Sequence, residues 1–214
     1  MFNPYIGINF SFTKETCEFL DSMMPVYLKE FYKNFPETGG FFRPKLIDTP
    51  FAKEIKDFLN QLNITDIKTE ILIHKDIGYS KLRIENLHID APRGIPLPCR
   101  FNIMYRGDGL SNLHLWNVDC RDKKITQVSV PMGGSRYQIV GNNVTEKIEN
   151  IKHARRVKID KEFLSKTNKT ADFLRTEFVH AVEKTGSERI LISTCIHHSW
   201  DYVYEQVINY KSSL

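Results

Sequence analysis

At residue 64 the apolar residues of this chain change their period. Beyond that point they gather into short runs rich in Ile, Leu and Val, parted by turn residues, at 68–74, 81–88, 100–105, 112–118, 125–130, 136–140, 172–179 and 189–196. Runs of that length between turn signals mark antiparallel strands. Eight of them predict a mainly β fold with supporting helices, of sandwich, barrel or jelly-roll type. A chain of 214 residues, 41% of them hydrophobic, can bury one sizeable core. The expected organisation is one domain over 1–214, with helical support at 1–63, a β core at 64–198 and a C-terminal helix at 199–214.

The helical parts show a different spacing. After a strand-like opening at 5–10, Thr13 stands ahead of Phe19, Leu20, Met23, Met24, Tyr27, Leu28 and Phe31, whose intervals of three and four make one helix face. Pro25 falls inside that pattern and predicts two helical pieces. Thr49-Pro50 opens a second helix with Phe51, Ile55, Phe58, Leu59 and Leu62 on its buried side, and Ser199 caps a closing one with Trp200, Val203, Val207 and Tyr210 in phase. The stretch 142–169 is polar and basic, and is expected to be an insertion or a lid.

Composition narrows the function classes. The net charge of +4 comes from 30 basic and 26 acidic residues spread along the chain, which permits an anionic substrate without requiring nucleic acid. Cys17, Cys99, Cys120 and Cys195 form no CxxC pair, against a structural zinc site or a disulfide framework. With no apolar run of about 18 residues and no basic leader, the expectation is a soluble cytoplasmic protein without membrane contact.

Two distant segments carry the chemistry. The stretch 178–193 reads as a β-hairpin bearing His180 and, nine positions on, Arg189. Far upstream, His88 and Asp90 are separated by one residue, so on a strand both side chains share a face. With His180 they make two imidazoles and one carboxylate on one side of an octahedron, the ligand set of non-heme Fe(II) oxygenases. On the last strand Arg189, Leu191 and Ser193 share a face, and an interior guanidinium calls for an anion, best a bidentate carboxylate. An organic diacid that chelates the metal at one end and meets Arg189 at the other satisfies both.

Over about residues 68–196 this pattern resembles the Fe(II)/2-oxoglutarate-dependent dioxygenases, which have a double-stranded β-helix (jelly-roll, cupin-like) fold; the segment 173–193 is especially similar to their prolyl-hydroxylase-like members. The resemblance implies that His88, Asp90 and His180 bind Fe(II). It implies that Arg189, assisted by Ser193, binds the distal carboxylate of 2-oxoglutarate, with the Tyr105 phenol as a further candidate for that carboxylate. The activity it implies is a hydroxylase that consumes O2 and 2-oxoglutarate, releasing succinate and CO2. The prime substrate stays open among a protein side chain, a small molecule and a nucleobase, as does the oligomeric state.

Other residues offer competing readings. His74-Lys75-Asp76 repeats the His-x-Asp spacing but lies a strand earlier, without the Pro/Gly turn that follows Asp90. His114 and Trp116 share a strand face that could line a pocket or simply fill a core; His197-His198 point oppositely on a strand. Arg93 and Arg100 are expected near the mouth, where they could meet an anionic substrate. Two alternatives remain: a cupin-type metal enzyme that does not use 2-oxoglutarate, and a non-catalytic β-barrel module that binds an anionic polymer through Lys152, His153, Arg155, Arg156 and Lys158.

Overall fold

Each strand's apolar side chains decide which layer it joins. The computed structural model describes residues 2–34, 40–42, 49–75, 87–91, 94–107, 110–130, 134–162, 170–184 and 188–214, and at several strand ends, 72–75 and 188–189 among them, the backbone alone. In chain order come β1 (Tyr5–Asn9), α1 (Lys14–Asn34), β2 (Gly40–Phe42), α2 (Pro50–Gln61), β3 (Ile67–Lys75), β4 (His88–Ile89), β5 (Cys99–Gly107) and β6 (Leu110–Asp119). Then follow β7 (Ile125–Val130), β8 (Gly134–Ile139), α3 (Val144–Ile151), β9 (Arg156–Glu162), β10 (Thr170–Arg175), β11 (Phe178–Lys184), β12 (Glu188–Ile196) and α4 (Trp200–Ser212).

Two six-stranded sheets result, β1-β10-β5-β12-β3-β2 and β7-β8-β4-β11-β6-β9, with antiparallel pairing throughout. The chain passes from one sheet to the other between β3, β4, β5 and β6, and again between β9, β10, β11 and β12. Two interleaved four-stranded layers wound in this way are a double-stranded β-helix, or jelly roll. The fold class expected from the sequence is therefore the one observed.

Three apolar layers hold it. On the first sheet, Phe101, Ile103, Phe173, Ile190 and Ile192 alternate toward the helices and meet Leu20, Phe31, Phe51, Leu59, Val203 and Val207 in one cluster. Each such side chain contributes roughly 1.5–3 kcal/mol by leaving water. On the outer face of the second sheet, Ile89, Trp116, Val118, Val179 and Ala181 pack with Ile151 of α3. Leu113, Leu115 and Leu174 form a third cluster from strands of both sheets.

Several expectations are corrected. The stretch 178–193 is no hairpin: β11 pairs with β4 and β6, whereas β12 pairs with β3 and β5 in the opposite sheet. The reason is burial. Val179 and Ala181 belong to the outer core of one sheet, while Ile190 and Ile192 belong to the helical core of the other. The run 172–179 divides into β10 and β11, because the Thr176 amide and hydroxyl turn away to the Pro98 and Leu97 carbonyls.

α1 is one helix with Pro25 inside it, not two pieces. Leu20, Met24, Tyr27 and Phe31 stay buried in phase through the proline, whose own position is exposed. Burial of that face outweighs the hydrogen bond that proline removes. Of the stretch 142–169, residues 142–162 are described, and they carry regular structure. Asn143 caps α3, accepting a hydrogen bond from the Glu146 amide at 3.0 Å, and β9 then pairs with β6 as a strand of the second sheet. Of the expected run 81–88, residues 81–86 lie outside the described residues.

Candidate metal centre

β4 is only two residues long, and it places His88 directly across from His180 of β11. Leu87 and Ile89 face the outer core, so His88 and Asp90 turn to the inner side of the sheet. Asp90 follows the strand and is fixed by its backbone: its amide donates to the Thr176 carbonyl at 3.3 Å, and its carbonyl accepts from Leu97 at 2.7 Å. The turn beyond it closes where Gly94, at a φ of 82°, donates to the Ala91 carbonyl. On the other strand, the β11–β6 register shifts between Phe178 and His180. Such irregularities re-aim a side chain beside functional sites.

The potential ligand atoms of His88, Asp90 and His180 all lie within 4.8 Å of one another. Asp90 Oδ1 is 3.3 Å from His88 Nε2 and 3.9 Å from His180 Nε2. His180 Nδ1 lies 2.9 Å from the Phe178 carbonyl, an arrangement in which Nδ1 donates and the Nε2 lone pair is turned to the cluster. Burial, then the neighbouring His88, pushes His180 down to about 4, so it is a neutral ligand at neutral pH. Burial opposes the charge on Asp90. It is outweighed by the Arg100 guanidinium, the hydrogen bond with His88 and the two imidazoles, which together hold the carboxyl well below the usual carboxylate range.

Two imidazoles and an ionised carboxylate on one inner face fit a divalent metal of the Fe(II) or Mn(II) kind, and the hydrogen bond behind His180 is what such a ligand ordinarily carries. Among the described residues this is the group of three such side chains close enough to share an ion.

Behind Asp90 lies a buried polar network. Arg100 Nε binds Asp90 Oδ2, leaving Oδ1 toward the histidines. Arg100 Nη1 donates to Glu70 Oε1 at 2.7 Å and to Ser193 Oγ at 3.0 Å, and Ser193 donates to Asn102 Oδ1 at 2.6 Å. Glu70 and Ser193 are fully buried. Arg100 was expected at the mouth, free for an anion; it is instead an interior residue that clamps a metal-ligand candidate. Its alternation with Cys99 and Phe101, and that of Glu70 with Ile71, is the signal by which the sequence could have revealed this, since polar residues recurring at period two inside an apolar strand face a second layer.

The remaining candidates are distributed as follows. Ser193 is on the inner face, but its hydroxyl is engaged by Arg100 and Asn102. Arg189 stands near the start of β12, its backbone paired with His74 and Gly107, and its side chain lies outside the described residues. Tyr105 is not at the site. It shares the helix-facing parity of Phe101 and Ile103, and its hydroxyl bonds Asp21 of α1. His74 is described by its backbone alone, and Asp76 and Arg93 lie outside the described residues. His114 and Trp116 face the outer core, where Arg156 Nη2 lies 2.6 Å from His114 Nδ1 and the guanidinium stacks 5.3 Å from the Trp116 ring. His198 Nε2 accepts from the Thr65 and Asp66 amides and its ring stacks on Tyr202, a structural tie. The four cysteines are free thiols.

No protein-family model and no curated protein sequence matches the chain. Among solved structures, it is similar to AviO1 from Streptomyces viridochromogenes, at 9% identity over 92% of this chain and 91% of that one, with a TM-score of 0.44. It is similar to the viral collagen prolyl hydroxylase of Paramecium bursaria Chlorella virus-1, solved as a 2-oxoglutarate complex, at 13% identity over 91% and 95%, with a TM-score of 0.41. A third likeness is to SnoK, a non-heme α-ketoglutarate-dependent carbocyclase from nogalamycin biosynthesis, at 7% identity over 89% and 78%, with a TM-score of 0.43. These are remote likenesses of chain course, and the jelly-roll assignment stands on the strand order itself. Among the described residues no helix is long and apolar enough to cross a membrane.

Proposed function

We propose that this chain is an Fe(II)- and 2-oxoglutarate-dependent oxygenase that hydroxylates a prime substrate and releases succinate and CO2. The observation that carries the reading is the convergence of His88, Asp90 and His180 within 4.8 Å on the inner face of a double-stranded β-helix, from segments 90 residues apart. The chemistry supplied when iron(II) is bound is the O2-dependent oxidation of substrate coupled to decarboxylation of 2-oxoglutarate.

The protein's own part is positioning. His180 offers Nε2 because the Phe178 carbonyl takes its other nitrogen, and Asp90 offers Oδ1 because Arg100 holds Oδ2. With His88, Asp90 and His180 as its three protein donors, a bound iron(II) would keep room for further ligands. In this reading Arg189, four residues from Ser193 on β12, anchors the distal carboxylate of 2-oxoglutarate. Ser193 acts through the Arg100 network, and Tyr105 has no part. Succinate formation dependent on both Fe(II) and 2-oxoglutarate is the test. Wild-type protein is expected to produce it and Asp90→Ala to lose at least about a hundredfold, as expected when a ligand goes. Equal succinate from both would end the reading.

A further inference from the structure

The second sheet carries more than the metal-ligand candidates on its inner face. Across it runs one row of paired residues: His180 opposite His88, His88 opposite Gln138 of β8, and Gln138 opposite Thr126 of β7. Directly paired residues project to the same side of a sheet, with Cβ atoms about 5 Å apart. Tyr137, Ile139 and Ile125, at the alternate positions, occupy the other side and pack in the outer core. Gln138 therefore stands beside His88. Arg136, two residues before Gln138 on β8, shares its face.

Arg100 and Arg136 differ in one respect. Arg100 has two carboxylates, Asp90 and Glu70. Arg136 is partly buried, and none of the described carboxylates pairs with it. Its partner is the amide of Gln138. In the orientation that satisfies both groups, Gln138 Oε1 accepts from Arg136 Nη2 at 2.5 Å and from Nε at 2.6 Å. Five guanidinium N–H groups less these two leave three, two of them side by side on the edge formed by Nη1 and Nη2. Burial draws the guanidinium below its ordinary value, and among the described residues no acid restores it. A neutral amide thus braces the cation in one orientation while no described carboxylate answers its charge, which is the arrangement of a receptor for an oxyanion.

We propose that Arg136, braced by Gln138, binds an oxyanion, carboxylate or phosphate, carried by the prime substrate. This rests on reading the neighbouring cluster as an Fe(II)/2-oxoglutarate site. The cosubstrate's own anchor in that reading, Arg189, belongs to β12 in the opposite sheet, whereas β8 is part of the β7–β8 hairpin added to the eight-strand core on the β4 side. Arg136 is a substrate-positioning residue, and it selects for substrates with a negative charge near the oxidised carbon.

The probes are inorganic phosphate and acetate, titrated separately onto the full chain in EDTA while the Arg136 Nε–H signal is followed by NMR. The signal is identified by its loss in Arg136→Gln. One of the two anions is expected to shift it saturably, and the tighter one distinguishes phosphate from carboxylate. By a second readout, calorimetry, Arg136→Gln should weaken that binding about tenfold or more, and Arg136→Lys, which keeps the charge but not the fork, by less. Repeating the titration after saturation with Zn(II) and 2-oxoglutarate should leave the shift in place. Absence of a saturable shift with either anion overturns the proposal. So does a shift produced by 2-oxoglutarate itself that abolishes anion binding, since Arg136 would then serve the cosubstrate. Failure of the chain to take up any divalent metal, with phosphate or acetate still titrating Arg136, overturns the oxygenase reading alone and leaves the oxyanion site standing.

Discussion

Arg100 is the residue on which the geometry of the candidate centre turns. It touches Asp90 on one side and Glu70 and Ser193 on the other, all buried or nearly so. Taking one member from a buried ion network leaves charges without partners, which is far more costly than the network's net worth. Arg100→Met is therefore expected to destabilise the metal-free protein by about 3–5 kcal/mol, because the carboxylates of Asp90 and Glu70 stay behind. Urea denaturation in EDTA measures this, and Glu70→Gln added to Arg100→Met should return part of the loss. The same substitution frees Asp90 Oδ2 to rotate toward the histidines, so Mn(II) affinity by calorimetry should fall about 10–100-fold, as for other residues that orient a metal ligand. Unchanged affinity would show that the backbone bonds of Asp90 to Thr176 and Leu97 suffice to hold it.

Among the elements, α1 shows how packing overrides a local breaker. Thr13 starts it, accepting a hydrogen bond from the Thr16 amide, and Glu54 of α2 ties both threonines, so the two helices are joined at that end. The buried series Leu20, Met24, Tyr27 and Phe31 runs through Pro25 without losing phase. An interior proline costs a helix about 3 kcal/mol relative to alanine, partly offset by the restriction it places on the unfolded chain. Pro25→Ala is thus expected to raise stability by about 1–2 kcal/mol, read as a higher urea midpoint at unchanged slope. A drop instead would mean that α1 needs the proline itself to follow the first sheet. In β11, the register shift next to His180 belongs to the same class of feature: a local irregularity preserved because a side chain must be aimed.

At the scale of the whole molecule, the cluster joins β4 to β11, so the fold itself assembles the site and a bound metal should stabilise the fold in return. A ligand at a hundred times its dissociation constant adds about 2.7 kcal/mol. For a domain of this size that is a rise in Tm of roughly 5–10 °C. Mn(II) should produce it in wild-type protein by thermal denaturation and fail to do so in Asp90→Ala; an equal rise in both would place the metal elsewhere. The period-two runs, the three helix faces and the His-x-Asp pair were legible in the sequence because alternation, capping and face-sharing are local properties of the backbone. From the same local signal, 178–193 reads as a hairpin, Tyr105 as part of the site and Arg100 as a mouth residue, and each of these is corrected. Which sheet receives β11 and which receives β12 depends on where Val179 and Ile190 find their cores, and those cores are built from residues far away in the chain. The direction of Tyr105 and the burial of Arg100 follow from the same choice. The sequence alone determined the strands, the helix faces and the chemistry of the two histidines and the aspartate. Tertiary structure decided what lies behind each of them, because burial and charge compensation are properties of neighbours in space.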